Sequence, residues 1–327
     1  MRTSSKPTIA LALGSGSARG WAHIGVIREL EDMNIKPDIV TGASVGAIVA
    51  GAYASGNLDP FEEWIRSLSR VDIIRLLDAK MKGGGFLQGK SLMDAISKQI
   101  GSPEIEDLDL AFACVATELA SGREIWIREG SLLDACRASI ALPGMFAPAR
   151  NANGEYLLDG GLVNPVPVSL ARAMGADVVI AVNLNGDLVG RHFFVEQKMQ
   201  EAVTELSDAQ IAEIEEKDSQ VARWAAKLKA GFGNHLDAYI SSLRKKETPD
   251  PGLFDVIAGS VNVMQDRITR SRMAGEPPDI HITPKLANIG LMEFDRAEES
   301  IREGVVATQR QKHELEELAR ELQKFNT

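Results

Sequence analysis

A serine flanked by glycines, in the run Gly42-Ala43-Ser44-Val45-Gly46, is the strongest candidate nucleophile in the sequence. An apolar run of strand length ends just before this pentapeptide, and a small, apolar helical pattern begins within it. Glycines on both sides leave room for a sharp turn that holds the serine in a strained conformation with its hydroxyl clear of the backbone. Amides that open the helix favour negative charge nearby. The pattern predicts a nucleophile, with a tight glycine-rich turn as the alternative.

A glycine-rich loop lies directly after the first predicted strand and before a helix. The amides of such a loop converge on an anion, which is either a dinucleotide pyrophosphate or the oxyanion that forms when Ser44 attacks an ester. The dinucleotide fingerprint needs glycine at its sixth position, where this chain has Arg19, and it includes no neighbouring G-x-S-x-G sequence. The oxyanion hole is therefore the favoured interpretation. The loop consists of Gly14, Ser15, Gly16, Ser17, Ala18, Arg19 and Gly20.

A general base must accept the proton of Ser44, and Asp159 is the best candidate. It ends a short apolar run, and Gly160 and Gly161 behind it allow a sharp turn. A carboxylate within hydrogen-bond reach of a serine can act as the base, and burial would raise its basicity. The alternative is a triad with a histidine from late in the chain. His281 is the best placed of these, although it alternates with apolar residues on a predicted strand, as a structural histidine does.

The elements that must position these residues alternate between strands and helices over the first 185 residues. This alternation predicts an α/β fold with a mostly parallel central sheet covered by helices on both faces. Helices are predicted over residues 21–33 and 45–54, the second apolar all round as in a buried helix. Strands are predicted over residues 8–13, 38–41, 110–117, 124–128 and 177–183.

The composition divides the chain into three parts. Residues 8–185 are predicted to form the catalytic α/β core. Residues 186–251 are rich in charged, helix-favouring residues and are interpreted as a helical insertion, either a solvated hairpin or a lid or oligomerisation arm. Residues 252–327 are expected to return to the core with a strand over 279–282 and to end in a charged helix over 308–325.

Together these motifs resemble bacterial members of the patatin-like phospholipase family. The likeness rests on the oxyanion loop with the residues that follow it to Gly25, on the Ser44 turn, on the segment Arg137–Phe146 and on the turn at Asp159. It covers most of the chain apart from the insertion. The resemblance implies a three-layer α/β/α fold.

For the site, the resemblance implies a dyad without histidine that hydrolyses lipid acyl esters through an acyl-enzyme, with Ser44 as nucleophile and Asp159 as base. A long-chain lipid substrate also follows from the resemblance alone, because composition does not distinguish a phospholipid from a lysophospholipid, a glyceride or an artificial ester. The implied oxyanion donors are the backbone amides of Gly16, Ser17 and Ala18.

The chain departs from the family in the oxyanion loop, where an unbroken glycine run is usual and this sequence has Ser15 and Ser17, with Arg19 closing the loop. A serine still donates its backbone amide. If either position requires a positive φ, the substitution adds strain of about 1 kcal/mol or more, which would slow the enzyme or narrow its substrates.

Composition and charge exclude several other classes of protein. The 327 residues, 44% of them hydrophobic, suffice for a core without disulfide or metal support. With 36 basic and 46 acidic residues the formal net charge is −10, which disfavours nucleic acid. Two cysteines, Cys114 and Cys136, indicate buried thiols in a reducing compartment. No apolar run is long enough for a signal peptide or a membrane span, so a cytoplasmic protein is expected.

The expected partner is a lipid or other acyl ester, with any membrane contact peripheral and at the inner face. No acidic cluster has the spacing of a calcium loop, so neither metal nor cofactor is expected. An apolar seam from Val203 to Leu228 within the insertion would support a homo-oligomer. A regulatory or scaffold protein of the same fold, acting through the insertion, is the alternative to an enzyme, alongside a general esterase or thioesterase with a histidine-containing triad.

Other patterns have simpler interpretations. Residues 84–91 match the G-x-x-x-x-G-K-S pattern of an ATP-binding loop, but such a loop follows a buried strand and residues 73–82 are charged and helix-like. We interpret them as a glycine-rich loop that caps the next helix. His23 is interpreted as structural. The segment from Cys136 to Phe146 either lines the acyl-binding pocket or packs in the core.

Overall fold

One sheet with helices on both faces makes up the part of the chain that the computed structural model describes, residues 6–76, 89–187 and 253–325. This is the three-layer α/β/α fold that the sequence predicts. The predicted insertion lies outside the described residues from position 188 onward.

The sheet has eight strands, most of them parallel. They are β1 (Ile9–Leu13), β2 (Ile39–Ala43), β3 (Ala111–Glu118), β4 (Glu124–Ile127), β5 (Ala149–Arg150), β6 (Tyr156–Asp159), β7 (Val178–Val182) and β8 (Ile280–Ile282). Their order is β5-β6-β3-β2-β1-β7-β8, and β4 also pairs with β3. The five strands from β3 to β8 in this order run parallel, whereas β4, β5 and β6 are antiparallel.

The helices of the described residues are α1 (Ala22–Asp32), α2 (Val45–Ala54), α3 (Leu58–Ser67), α4 (Arg70–Leu76), α5 (Lys90–Ile100), α6 (Leu132–Ser139), α7 (Val168–Ala173), α8 (Leu253–Gly275), α9 (Ala297–Gln309) and α10 (Lys312–Gln323). Short 3-10 turns precede α1 and β3, and another follows β6. None of these helices is long and apolar enough to cross a lipid bilayer.

The two faces of β1 explain why its sequence is apolar throughout. Side chains alternate across a strand, so Ile9, Leu11 and Leu13 point to one face and Ala10 and Ala12 to the other. The first set packs with residues of α1, α2 and α3, and the second with residues of α7. The sequence of an inner parallel strand that is covered on both faces is therefore a continuous apolar run.

The predicted strands agree with the structure within one or two residues, except that β5 and β6 were not predicted as strands. Both are short and antiparallel. The charged terminal helix predicted over 308–325 is present as α10, but it begins four residues later, at Lys312, because α9 extends to Gln309. The C-terminal part does return to the sheet, where β8 pairs with β7 and α9 packs against α1.

Candidate active site

Ser44 lies between β2 and α2 in a backbone conformation that L-residues rarely adopt, with φ 56° and ψ −128°. Gly42 and Gly46, the two glycines that the sequence predicts to be needed, permit this turn because other parts of the backbone pass close to both. A Cβ at Gly42 would lie 2.5 Å from the backbone nitrogen of Ala47, and a Cβ at Gly46 would lie 2.2 Å from the carbonyl oxygen of Leu13. Both positions therefore exclude a side chain.

A buried serine that the sequence did not single out holds the Ser44 amide. The amide donates to Ser139 Oγ at 2.8 Å, and the Ser139 hydroxyl donates to the carbonyl of Val115 at 2.7 Å. Ser139 lies in the segment from Arg137 to Phe146 that carries the family resemblance, but nothing in its spacing marks it as a partner of Ser44. The Ser44 amide is thus occupied within the fold.

The hydroxyl of Ser44 donates to Asp159 Oδ2 at 2.6 Å. These residues are far apart in the sequence, and β3 brings them together because it pairs with both β2 and β6. Ala43 pairs with Val115, and Asp159 pairs with Ala116. Adjacent positions on β3 therefore hold the end of β2 on one edge and the end of β6 on the other at the same level of the sheet.

Burial makes Asp159 a stronger base than a surface aspartate. The side chain is 1% exposed, and desolvation raises its pKa to about 7 although hydrogen bonds from Ser44 and from the Gly161 amide act to lower it. The Gly161 amide donates to Oδ1 at 2.7 Å. A base with a pKa near 7 is suited to proton transfer at neutral pH.

The oxyanion loop carries backbone strain at Ser17 but not at Ser15. Ser17 has φ 52°, whereas Ser15 does not have a positive φ. The Ser17 hydroxyl donates to the carbonyl of Leu291 at 2.6 Å, which supports the strained residue. Arg19 closes the loop as expected, because its Nε donates to the carbonyl of Gly16 at 3.1 Å.

The amides of this loop differ in whether they are free to donate. The Ala18 amide donates to the carbonyl of Leu291 at 3.2 Å, so the prediction of Ala18 as an oxyanion donor is corrected. The Gly14 amide likewise donates to Val182. Within the described ranges, the amides of Gly16 and Ser17 have no acceptor. These two remain as candidate donors.

An apolar pocket with about 960 Å³ of empty space, its open mouth included, contains Ser44 and Asp159 in its wall. Helices α3, α4 and α5 supply much of its surface. Its apolar lining includes Trp21, Phe61, Trp64, Ile65, Leu92 and Ile96. Within the segment from Cys136 to Phe146, four residues line the pocket, namely Ile140, Leu142, Met145 and Phe146, whereas Cys136 is buried in the core.

Among the described residues, no histidine lies beside the dyad. His281 lies on β8, and β7 and β1 separate β8 from β2. Strand β8 is therefore three interstrand spacings, or about 14 Å, from β2, the strand that leads to Ser44. His23 is fully buried with Nε2 2.7 Å from the carbonyl of Gly14, and burial lowers its pKa to about 4, so it is a neutral structural residue.

The loop that matches an ATP-binding pattern is described only from Gly89 onward. Gly89 has φ 70° and directly precedes α5, as a cap does. The described residues before it, up to Leu76, form the helix α4 and not a strand. This context is the one expected for a helix cap.

Comparison with known proteins connects this geometry to a family. The family model described as Patatin-like phospholipase matches residues 11–172. An uncharacterized NTE family protein from Mycobacterium tuberculosis is 34% identical over 341 residues, covering 94% of this chain and 92% of that protein. The human patatin-like phospholipase domain-containing protein 6 is 34% identical over 183 residues, covering 54% of this chain and 13% of that protein. The lysophospholipase nte1 of Emericella nidulans is also 34% identical, over 184 residues, covering 54% of this chain and 12% of that protein.

Proposed function

The chain belongs to the patatin-like phospholipase family, and from that premise we propose that it is a lipid acyl hydrolase with Ser44 as nucleophile and Asp159 as general base. The observation that carries this proposal is the hydrogen bond of 2.6 Å between Ser44 Oγ and Asp159 Oδ2 in the wall of an apolar pocket.

In the first half of the reaction, Ser44 Oγ attacks the ester carbonyl while Asp159 Oδ2 accepts the hydroxyl proton. The carbonyl oxygen becomes an oxyanion, which the amides of Gly16 and Ser17 stabilise. The bond to the alcohol then breaks, and protonated Asp159 returns the proton to the departing oxygen. The acyl group remains on Ser44.

In the second half, Asp159 takes a proton from water as the water attacks the acyl carbonyl. The oxyanion forms again at the same amides, and its collapse releases the fatty acid while Ser44 regains a proton from Asp159. One ester and one water thus give one alcohol and one acid, and one carboxylate serves as base and acid in turn.

The apolar pocket supports a lipid with at least one long acyl chain as substrate, because burying each methylene contributes about 0.8 kcal/mol. The names of the relatives, phospholipase and lysophospholipase, suggest the same class. Peripheral membrane contact and self-association through residues 203–228 remain predictions, the latter on residues outside the described ranges.

The experiment that tests this function is covalent labelling with a fluorophosphonate probe, which reacts only with an activated serine. We expect an adduct on Ser44, located by peptide mass spectrometry, together with hydrolysis of long-chain esters. Ser44→Ala should lose both, and Asp159→Asn should lose both to within background because no base remains. His281→Ala serves as the matched control and should keep wild-type activity.

Loss of labelling in His281→Ala would contradict the dyad and indicate that a histidine-containing triad activates Ser44. Absence of labelling in the folded wild-type protein would contradict the proposed hydrolase and favour a regulatory protein of the same fold.

A further inference from the structure

Helix α8 presents two buried amide side chains to the pocket, although most of the pocket lining is apolar. Asn262 is 8% exposed and Gln265 is 6% exposed, and both contribute to the wall that also contains Ser44. Residues three apart in a helix lie on one face, so both side chains point the same way. Buried amides are costly unless they are hydrogen-bonded, so their partners indicate what they hold in place.

Asn262 contacts the oxyanion loop through Arg19. The residue is 1% exposed and, in the part of the chain described, its guanidinium pairs with no carboxylate. Arg19 Nη2 donates to Asn262 Oδ1 at 3.1 Å, and Arg19 Nε donates to the carbonyl of Gly16 at 3.1 Å. A bridge of two hydrogen bonds therefore runs from α8 to the Gly16 carbonyl.

This bridge bears directly on one of the candidate oxyanion donors. In a planar trans peptide, the carbonyl of Gly16 and the amide N–H of Ser17 point in opposite directions. When Arg19 holds the carbonyl on its own side, the Ser17 N–H must face away from Arg19. Rotation of this peptide would withdraw the donor.

Gln265 contacts the other end of the loop. Its Oε1 accepts from the Ser15 hydroxyl at 3.1 Å and from Asn185 Nδ2 at 3.0 Å. Its Nε2 lies beside the turn after the base, since a Cβ on Gly161 would be only 2.5 Å from that atom. Gln265 therefore packs between the oxyanion loop and the turn that carries Asp159.

We propose that Asn262 and Gln265 are positioning residues, through which α8 holds the oxyanion loop in its donating conformation by way of Arg19 and Ser15. The inference rests on the proposed hydrolase function. It makes α8 part of the catalytic apparatus, although α8 lies about 90 residues beyond Asp159 and contributes no nucleophile or base.

The test removes each hydrogen bond while keeping side-chain size, with Asn262→Leu and Gln265→Met. Misplacement of an oxyanion donor weakens transition-state binding more than substrate binding, so we expect kcat and the rate of fluorophosphonate inactivation to fall about 10- to 100-fold. KM should change less than about threefold, because the substitutions keep side-chain size and leave the apolar residues of α3, α4 and α5 in the pocket wall unchanged.

Two further variants separate this role from a loss of folding. Val263→Ala changes the exposed residue between the two amides and should keep wild-type kcat. Asn262→Asp retains an oxygen acceptor for Arg19 and should recover most of the activity lost in Asn262→Leu. Thermal unfolding of every variant shows whether the fold is intact.

Wild-type kcat in both Asn262→Leu and Gln265→Met would overturn the proposal, as would a loss expressed only in KM. If Asn262→Leu fails to fold, an Asn262→Asp protein that folds but has lost about tenfold or more in kcat would also overturn the proposal. Ser44→Ala is measured alongside. If it retains wild-type turnover, the proposed function with Ser44 as nucleophile fails, whereas an inactive Ser44→Ala with fully active α8 variants overturns only the positioning role.

Discussion

At the level of single residues, the site depends on a buried carboxylate, Asp159, that has no positively charged partner among the described residues. Asp159 has hydrogen bonds from Ser44 and Gly161 but no ion pair with any described residue. Desolvation therefore outweighs the hydrogen bonds, and the pKa of this carboxyl lies well above that of a surface aspartate. The same burial that raises its basicity makes its charged form costly to the folded protein.

This pKa predicts the pH dependence of the reaction. Asp159 accepts a proton only when it is ionised, and with a pKa of about 7 its ionised fraction falls about tenfold for each pH unit below that value. We expect kcat/KM to rise with slope one up to about pH 7 and then to level off. Stopped-assay rates from pH 5 to 9 on a neutral ester substrate check this. Constant activity down to pH 5 would show that the base has an ordinary aspartate pKa.

Ser139 gives a second prediction at this scale. Ser139→Ala leaves the Ser44 amide without its acceptor and so loosens the strained turn that aims the nucleophile. We expect kcat to fall about tenfold or more, with unfolding destabilised by about 1–3 kcal/mol. Steady-state kinetics and thermal unfolding measure both effects. Ser97→Ala, at a surface position of α5, is the control, and an equal loss in that variant would contradict the assigned role.

At the scale of elements, the crossing of α1 and α9 supports the oxyanion loop from behind. The two helices meet at glycines. A Cβ on Gly25 would lie 1.9 Å from the carbonyl oxygen of Ile301, and a Cβ on Gly304 would lie 2.0 Å from the carbonyl oxygen of Ala22. Because α1 continues directly from the 3-10 turn that follows Gly16, its position sets where the loop lies.

Gly304→Ala should therefore push α9 away from α1. We expect destabilisation by about 2 kcal/mol or more and a parallel loss of activity, since the added methyl group meets backbone that cannot rotate aside. Denaturant unfolding measures the change. Gly259→Ala is the matched control, because its Cβ would meet no described atom within 4 Å, and it should stabilise the protein by about 0.5–1 kcal/mol. Equal effects in both variants would mean that the helix crossing is not tightly packed.

At the scale of the whole molecule, the pocket forms where the ends of the parallel strands meet helices from distant parts of the chain. Helices α3, α4 and α5 provide its apolar side, and α8 provides Asn262 and Gln265. A single pocket thus has an apolar region for a chain and a polar region at the dyad. This division predicts that activity depends on acyl length.

Leu92→Trp tests that dependence. Leu92 lies on α5, is partly buried and lines the pocket, so a larger side chain there reduces the space available to a chain without replacing a fully buried residue. We expect the ratio of kcat/KM for long-chain over short-chain p-nitrophenyl esters to fall about tenfold, which corresponds to losing about two buried methylenes. Asp94→Ala, on the exposed side of the same helix, should leave the ratio unchanged. An unaltered ratio in Leu92→Trp would place the acyl chain elsewhere.

Features that depend on local chemistry could be predicted from the sequence alone. The apolar runs of β1, β2, β3 and β7 predict buried parallel strands, and the glycines around Ser44 predict a sharp turn, because each depends on neighbouring residues only. The strands β5 and β6 are harder to predict from their own residues, since short antiparallel strands are stabilised mainly by the strand with which they pair.

The contacts between distant residues could not be predicted in this way, because they depend on how the elements pack. The contact of Ser44 with Asp159 depends on the register of β3, the loss of Ala18 as a donor depends on Leu291, and the support of Arg19 depends on Asn262. Each of these contacts joins residues that are more than 100 positions apart in the sequence. Hydrogen bonds of this kind leave no periodicity in the sequence, because their geometry is set by the packing of helices and strands and not by the spacing of residues along the chain.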